Sequence, residues 1–528
     1  LRQIPVDPLG VAGDEVQPSV LALLQPRADV LWIAAFGGID VIDAEDFHLV
    51  RRIRPDPAVG SSLAHDQVRA LLRDSAGQIW IGGYGGGLQR HDPANEAIGI
   101  LRHSPGRAHT LSSPSVSSVL EIDPGTLWIG TRGNGVDVWD RQRGVIAGHR
   151  PDPANPQALR NGVISGLAQT GDGTLWVGTV DGLHRYDAVA GSFSRFGVEQ
   201  GLPDIYVRRL LAARDGGLWI GTDAGLGRLS PGRSMVERPP GVDGKPIRED
   251  VNALVESGDG RLWVGGSSGL YTLTAADAVL RRVALVAGQD NAPIGVGVLG
   301  LLLDRSGQLW VDTPAGLNRA SGFDGRAARL EPVSARLGAV GVPFGANLLE
   351  DTRGRIWSQR FVYDPQEDSL YELGRADGAD LGTAWFRAYA STHDGLLLFG
   401  GSKGLMMVDP ARFRRWDYTP PLVVTDIQVG GAPLRLANST EGFDVLPGQR
   451  GFSVEFAALD YTAPQRNRYQ YRLVGFDSDW IDSDATRRVA SYTRLSPGRH
   501  TLQVRGSGRT GVYSPHELAI PVRVVPAF

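Results

Sequence analysis

Short apolar runs alternate with glycine-centred breaks along this chain, and one phrase of that alternation keeps returning. Between Asp215 and Leu226 it reads Asp-Gly-Gly-Leu-Trp-Ile-Gly-Thr-Asp-Ala-Gly-Leu. A tight turn leads into an alternating apolar strand with a tryptophan on it, a glycine ends that strand, and a Gly-Leu pair opens the next. The tryptophan recurs at Trp32, Trp80, Trp128, Trp176, Trp219, Trp263, Trp310 and Trp357, with Phe399 in the ninth place, at spacings of 42 to 48 residues. Each of the first seven tryptophans has a Val or Ile twelve positions upstream: Val20, Val68, Val116, Ile164, Val207, Val251 and Val298. A strand, a short turn and a return strand would hold such a fixed register.

Repeats of this period, with four short strands each, predict an all-β, multi-bladed β-propeller over residues 1–418. In one repeat the strands are expected at Val207 to Ala212, Leu218 to Gly221 and Leu226 to Leu229, followed by a looser fourth. The recurring aromatic is expected to pack between neighbouring blades, not to touch a ligand. Leu1 to Val6 sit where a fourth strand would be, so they are expected to complete the last blade and close the ring without a free edge. Nine repeats fit one large ring, or two blades of a first ring followed by a seven-bladed second. Late repeats depart from the phrase: Trp310 is followed by Val-Asp-Thr and Trp357 by Ser-Gln.

At Thr419-Pro420-Pro421 the period stops, and two prolines make a stiff joint. Different strands follow: Leu422 to Val429, Phe452 to Phe456, Tyr469 to Leu473, His500 to Arg505 and Leu518 to Val525. Residues 419–528 therefore read as an immunoglobulin-like β-sandwich without its disulfide. The chain holds 70 glycines, about twice ordinary usage, as frequent tight turns require. It has no cysteine, which removes disulfides and thiolate metal sites. With 54 basic and 58 acidic residues and no basic run, it does not read as a nucleic-acid binder. No run of 18 apolar residues offers a membrane helix.

The phrase Leu-Trp-Ile-Gly-Thr-x-x-Gly-Leu, repeated at this period, resembles the two-component regulator propeller repeat. The C-terminal residues Tyr469, Tyr471, Leu473, Gly475, Trp480, Tyr492, Leu495, Pro497 and Gly498 resemble the triple-tyrosine (Y-Y-Y) domain that follows such propellers, with His500 where a further tyrosine is frequent. The resemblance implies a periplasmic sensor region of a bacterial membrane receptor. Its sandwich would stand next to a transmembrane helix that lies outside this chain, and pair with that of a second copy. A histidine kinase, hybrid kinase or diguanylate cyclase would lie on the far side of the membrane. An oligosaccharide is one implied ligand class.

Enzymatic readings find little support. The Asp-x-Gly-x-x-Trp turns, as at Asp172 to Trp176, resemble the structural Asp-box turns of sialidases. No acidic pair breaks the repeat as a glycosidase would need. The ten histidines show no metal-ligand spacing, and no nucleophile elbow or phosphate loop occurs. No cofactor, metal site or catalytic residue is expected. The expected function is ligand binding at the mouth of the channel, where second-to-third-strand loops and inter-blade segments gather. Candidate residues are Phe36, Tyr84, Arg132, Asn134, Asp181 and Asp223 from the loops, and Tyr206 from an inter-blade segment. Their aromatic faces suit sugar rings, and their polar groups suit hydroxyls. Trp480 and Tyr492 read as core of the sandwich. A scaffold for protein docking is the alternative function, and a glycan-active enzyme a third.

Overall fold

The computed structural model describes residues 19–56, 59, 62–93, 96–287, 297–435 and 441–527. It divides into two compact units: Leu1–Leu71 with Ile81–Phe413, and Leu72–Trp80 with Arg414–Phe528.

In the first unit the repeats are antiparallel sheets in the expected register. Repeat five has strands Val207–Ala212, Leu218–Thr222 and Gly225–Leu229. Among the described residues, seven apolar clusters join repeats three to nine in a closed series. Trp128 packs against Ile164 and Val177, Trp176 against Val207 and Ile220, and Trp219 against Val251 and Val264. Trp263 lies with Val298 and Val311, Trp310 with Phe344 and Ile356, and Trp357 with Phe399 and Met406. Leu398 and Leu405 of the ninth repeat then lie with Val116 and Ile129 of the third. Repeats three to nine thus form one seven-bladed ring, and the first two repeats stand outside it except for the last strand of repeat two. Each tryptophan of repeats three to eight is at most 9% exposed. An aromatic at each junction buries enough area to couple two sheets, roughly 4 kcal/mol of transfer free energy as an upper bound.

Two expectations are corrected. The strand that completes the last blade is Ile98–Leu101, which pairs antiparallel with Gly404–Val408; Leu1 to Val6 lie outside the described residues. Ile98 and Ile100 are buried beside Phe399, Met406 and Val408, so the chain closes its ring with an apolar strand taken from the end of repeat two and leaves no open edge there. The tryptophan's place in repeat nine belongs to Leu398, not Phe399. Leu398 pairs with Ala390 as Trp219 pairs with Leu211, and Phe399 takes the place of Ile220.

The glycine two residues after the tryptophan is required by close approach. A Cβ on Gly130 would lie 2.6 Å from Ile164 Cγ2, one on Gly178 2.6 Å from Val207 Cγ1, and one on Gly221 2.7 Å from Val251 Cγ1. The Val or Ile at the fixed upstream position therefore seats on the glycine of the preceding blade. In repeats two, seven and eight an aspartate stands six residues before the tryptophan, and it is structural too. Asp304 accepts the Trp310 indole N–H at 2.8 Å and the Gln308 backbone N–H at 2.9 Å, and Asp351 accepts the Trp357 indole at 2.7 Å.

The second unit contains a sandwich of a four-stranded and a five-stranded sheet. Leu422–Val429, Gly451–Ala458 and Val489–Thr493 belong to the first; Arg468–Val474, Gly498–Gly506 and Leu518–Val524 belong to the second. Tyr469 and Tyr492 lie in its core. Trp480 does not: it is half-buried, with the guanidinium groups of Arg472 and Arg505 4.6 and 4.3 Å from its ring centre. Cation–π contacts hold the ring there in place of core packing. Before the two prolines, Trp416 donates its indole N–H to Asp460 at 2.9 Å, which seats the joint on the sandwich. Among the described residues no helix is long and apolar enough to cross a membrane.

Candidate functional site

Every regular inner strand carries a one-residue bulge just after its fixed Val or Ile. The pairing skips Ser117 in repeat three, Ser165 in four, Arg208 in five and Asn252 in six. A bulged residue leaves the ladder and can be re-aimed. Three of these side chains lace the ring together. Ser117 donates to the Ile164 carbonyl at 2.5 Å, Ser165 to the Val207 carbonyl, and Asn252 Nδ2 to the Val298 carbonyl at 3.4 Å. Arg208 breaks the series.

The bulge of repeat nine is larger. Its inner strand pairs at Ala384 with Gly401 and resumes at Tyr389 with Phe399, while Ala388 remains buried beside Gly400. Three residues, Trp385, Phe386 and Arg387, therefore stand where other blades have one. Arg387 adopts φ 71°, a conformation that costs a non-glycine residue about 1 kcal/mol or more. Asn347 holds the bulge from the neighbouring blade: its Oδ1 accepts the Arg387 N–H at 2.7 Å and its Nδ2 donates to the Trp385 carbonyl at 2.8 Å. Trp385 donates its indole N–H to Ser115 Oγ at 2.8 Å.

These side chains meet others from across the ring. Arg387 Nη1 and Arg208 Nη1 both donate to Asn252 Oδ1 at 3.2 Å. Arg208 also pairs with Asp223, and with Asp250 at 3.3 Å. Arg209 donates to the Tyr389 hydroxyl at 3.1 Å, with its guanidinium 4.7 Å from that ring's centre. Residues that pair with the blade glycine as Arg209 does are small elsewhere, Ser118, Gly166 and Ala253, so Arg209 is a second local departure. Burial first, then the charge of Arg208, pushes the Arg387 guanidinium down to about 10, still a cation at neutral pH.

The sequence-predicted residues divide into three groups. Tyr206 and Asp223 belong to this cluster: Arg208 lies over the Tyr206 ring at 5.7 Å and pairs with Asp223. Arg132 joins it through Trp385, over whose ring its guanidinium sits at 4.1 Å. Asn134 and Asp181 lie in second-to-third-strand loops but are engaged locally. Asn134 Nδ2 donates to the Ser112 carbonyl at 2.9 Å, and Asp181 pairs with Arg195 at 2.7 Å. Phe36 and Tyr84 lie in the first two repeats, outside the ring, each 5.6 Å from the Arg69 guanidinium. Arg208, Arg209, Asn252, Asn347, Trp385, Arg387 and Tyr389 were missed. Trp385 was the available signal, a tryptophan off the repeating phrase in the stretch where the twelve-residue offset fails.

Other groupings offer less. Two carboxylate–histidine groups, Asp43 with Asp46 and His48, and Glu121 with His393 and Asp394, join a strand to a turn; Arg141 already pairs with Asp394. In the sandwich a cavity of about 640 Å³ is lined by Val445, Gln449, Arg450, Gly451, Thr493, Arg494, Leu495 and Val524, with no converging aromatic platforms.

Two family models match parts of this chain. The two component regulator propeller model matches residues 62–85, 158–181 and 201–224, and the Y_Y_Y domain model matches residues 460–525. The extracellular domain of a hybrid two component system from B. thetaiotaomicron has the same fold, at TM-score 0.74 and 21% identity over 96% of this chain and 68% of that one. A second such domain from the same organism matches at TM-score 0.47 and 17% identity, over 96% of this chain and 70% of its own. Histidine kinase P4 of Formosa agariphila is 23% identical over 211 residues, 37% of this chain and 15% of the kinase's length.

Proposed function

We propose that this chain, built of two-component regulator propeller repeats and a Y_Y_Y domain, is the periplasmic ligand-sensing region of a bacterial transmembrane receptor. In this reading a small polar ligand, an oligosaccharide by its chemistry, binds at the ring's mouth. Its occupancy changes how the sandwiches of two copies pair, and the pairing is read by an output domain outside this chain. The observation that carries the binding reading is the three-residue bulge in the closing blade. It costs backbone strain, it is held by Asn347, and it brings Trp385 and Arg387 to one place with Arg208 and Asn252. Arg387 shares its positive φ with six other non-glycine residues among those described, and what sets it apart is that its strained backbone delivers a guanidinium to partners on other blades. The two carboxylates of the cluster, Asp223 and Asp250, are both engaged by Arg208, an arrangement that suits recognition better than turnover.

A thermal-shift screen of neutral and charged oligosaccharides against the purified chain and Trp385→Ala tests this reading. Stabilisation of the parent that disappears in the variant supports it. A hit retained in Trp385→Ala moves the site elsewhere on the chain. Crosslinking of sandwich pairs with and without the hit tests the relay, and unchanged spacing sinks that half.

A further inference from the structure

We propose that the mouth of the ring selects an oxyanion carried on a saccharide, a uronate carboxylate or a sulfate ester, with Arg209 and Arg387 as its charge partners. The inference rests on the binding reading above and specifies its ligand.

Three guanidinium groups converge here, but only one is neutralised. Arg208 is committed to Asp223 and Asp250. Among the described residues neither Arg209 nor Arg387 has an ion pair with a carboxylate, and each reaches a neutral acceptor only, the Tyr389 hydroxyl and the Asn252 amide oxygen. The Nε of both is shielded from solvent and lacks an acceptor. Burial and the repulsion of Arg208 and Arg209 act on Arg387, and Tyr206 and Asp223 offset only part of that, so the free state gains little from holding these cations near one another. A carboxylate or sulfate presents a pair of acceptors for guanidinium N–H groups and offsets the surplus charge. A neutral sugar would leave both groups unpaired.

The surroundings favour a saccharide as the carrier. Phe386 is 55% exposed on the same bulge, Trp385 is half-buried beside it, and Tyr206 adjoins Arg208. Flat aromatic faces next to a cationic floor suit a ring that bears both C–H faces and an anionic substituent.

Isothermal titration of the whole chain with a galacturonic acid trisaccharide and its full methyl ester isolates the charge, because the two share one skeleton. A sulfated galactose trisaccharide and its desulfated form separate sulfate from carboxylate. The acid or the sulfate ester is expected to bind at least about 10-fold tighter than its neutral counterpart, and more weakly as salt rises. Arg387→Gln and Arg209→Gln are each expected to reduce that affinity about 10- to 100-fold, while Arg209→Lys, which keeps the charge, loses less. Variants whose unfolding transition is not lowered qualify for the comparison. Equal binding of the methyl ester, lost in Trp385→Ala, would overturn the oxyanion proposal and leave the site standing. Binding of the acid that ignores both arginine variants overturns the proposal and moves the ligand off the mouth. Silence from all four probes overturns it too, and leaves the neutral-ligand screen to judge the binding reading.

Discussion

Repeats three to six and repeats seven to nine solve one packing problem in two ways. In the first set a glycine in one blade receives the Val or Ile of the next, as Gly130 receives Ile164 and Gly221 receives Val251. In the second set the pair is inverted at the seven–eight junction. Asp312 stands in the glycine's place, and the fixed upstream position of repeat eight is Gly345. The Asp312 carboxylate, fully buried, accepts the N–H groups of Phe344, Gly345 and Ala346 at 2.9, 3.0 and 2.7 Å. Ser358 and Gln359, the other departures from the phrase, donate to the carbonyls of Phe344 and Gly345 at 2.5 and 2.7 Å. The irregular residues are thus one polar clamp around residues 344–346, next to Asn347, which holds the bulge. Apolar register builds the regular blades, and hydrogen bonds place the irregular ones.

This difference yields an unusual sign for a consensus change. Asp312→Gly restores the repeat's own phrase, yet it removes the acceptor of three buried N–H groups. A loss of about 3–5 kcal/mol is expected in equilibrium denaturation, at the upper end because the donors have no water to turn to. Neutral or stabilising behaviour would show that the two sets of blades are interchangeable.

A buried histidine gives the regular blades a pH dependence of their own. His184 in repeat four is fully buried, and its Nδ1 lacks a partner. Burial, and secondarily the charge of Arg195, pushes it down to about 4 from its ordinary 6.5. The native state therefore favours the neutral ring, and its stability is complete above pH 6.5. As pH falls from 6.5 toward 4 the unfolded chain takes up the proton first, and about 3 kcal/mol is lost. Urea midpoints measured across that window should fall in the parent and fall less in His184→Gln.

The regular half of the ring was legible because steric register writes itself into sequence. A glycine that must admit a neighbour's Val is visible at a fixed offset. The strands of repeat five and Leu422–Val429 lie where the alternation placed them. The closing strand was not legible, since Ile98 to Leu101 read equally well as the outer strand of repeat two, and only the folded ring decides which edge it fills. The candidate cluster was partly legible. Tyr206, Asp223 and Arg132 follow from loop position, whereas Arg387 reaches the cluster through a bulge whose length depends on the pairing of Ala384 with Gly401. Phe36 and Tyr84 occupy equivalent loops, but in repeats that the ring excludes.

Adding a single methyl group tests the close-packing half of the comparison. Gly221→Ala sets a Cβ 2.7 Å from Val251 Cγ1 and 2.9 Å from its Cβ, and a loss of about 1–3 kcal/mol is expected. Gly171→Ala is the control, because nothing lies within 4 Å of its added Cβ and its φ is not positive. It should fall within about 0.5 kcal/mol of the parent. Equal effects at the two positions would mean that the glycines serve turn formation alone.

The smallest expected effect runs the other way and bears on why the closing blade is irregular at all. Arg387 is repelled by Arg208 and Arg209 and shielded from water, so the free protein gains little from its charge. Arg387→Met keeps the stem and removes the guanidinium, at the loss of one hydrogen bond to Asn252. A gain of about 0.5–1 kcal/mol in the thermal unfolding of the ligand-free chain is expected, together with loss of oxyanion binding. A stabilised ring that no longer binds would show strain and like charge being held in place for a ligand. A destabilised ring that binds as before would return Arg387 to the polar clamp, as one more device that positions the last blade.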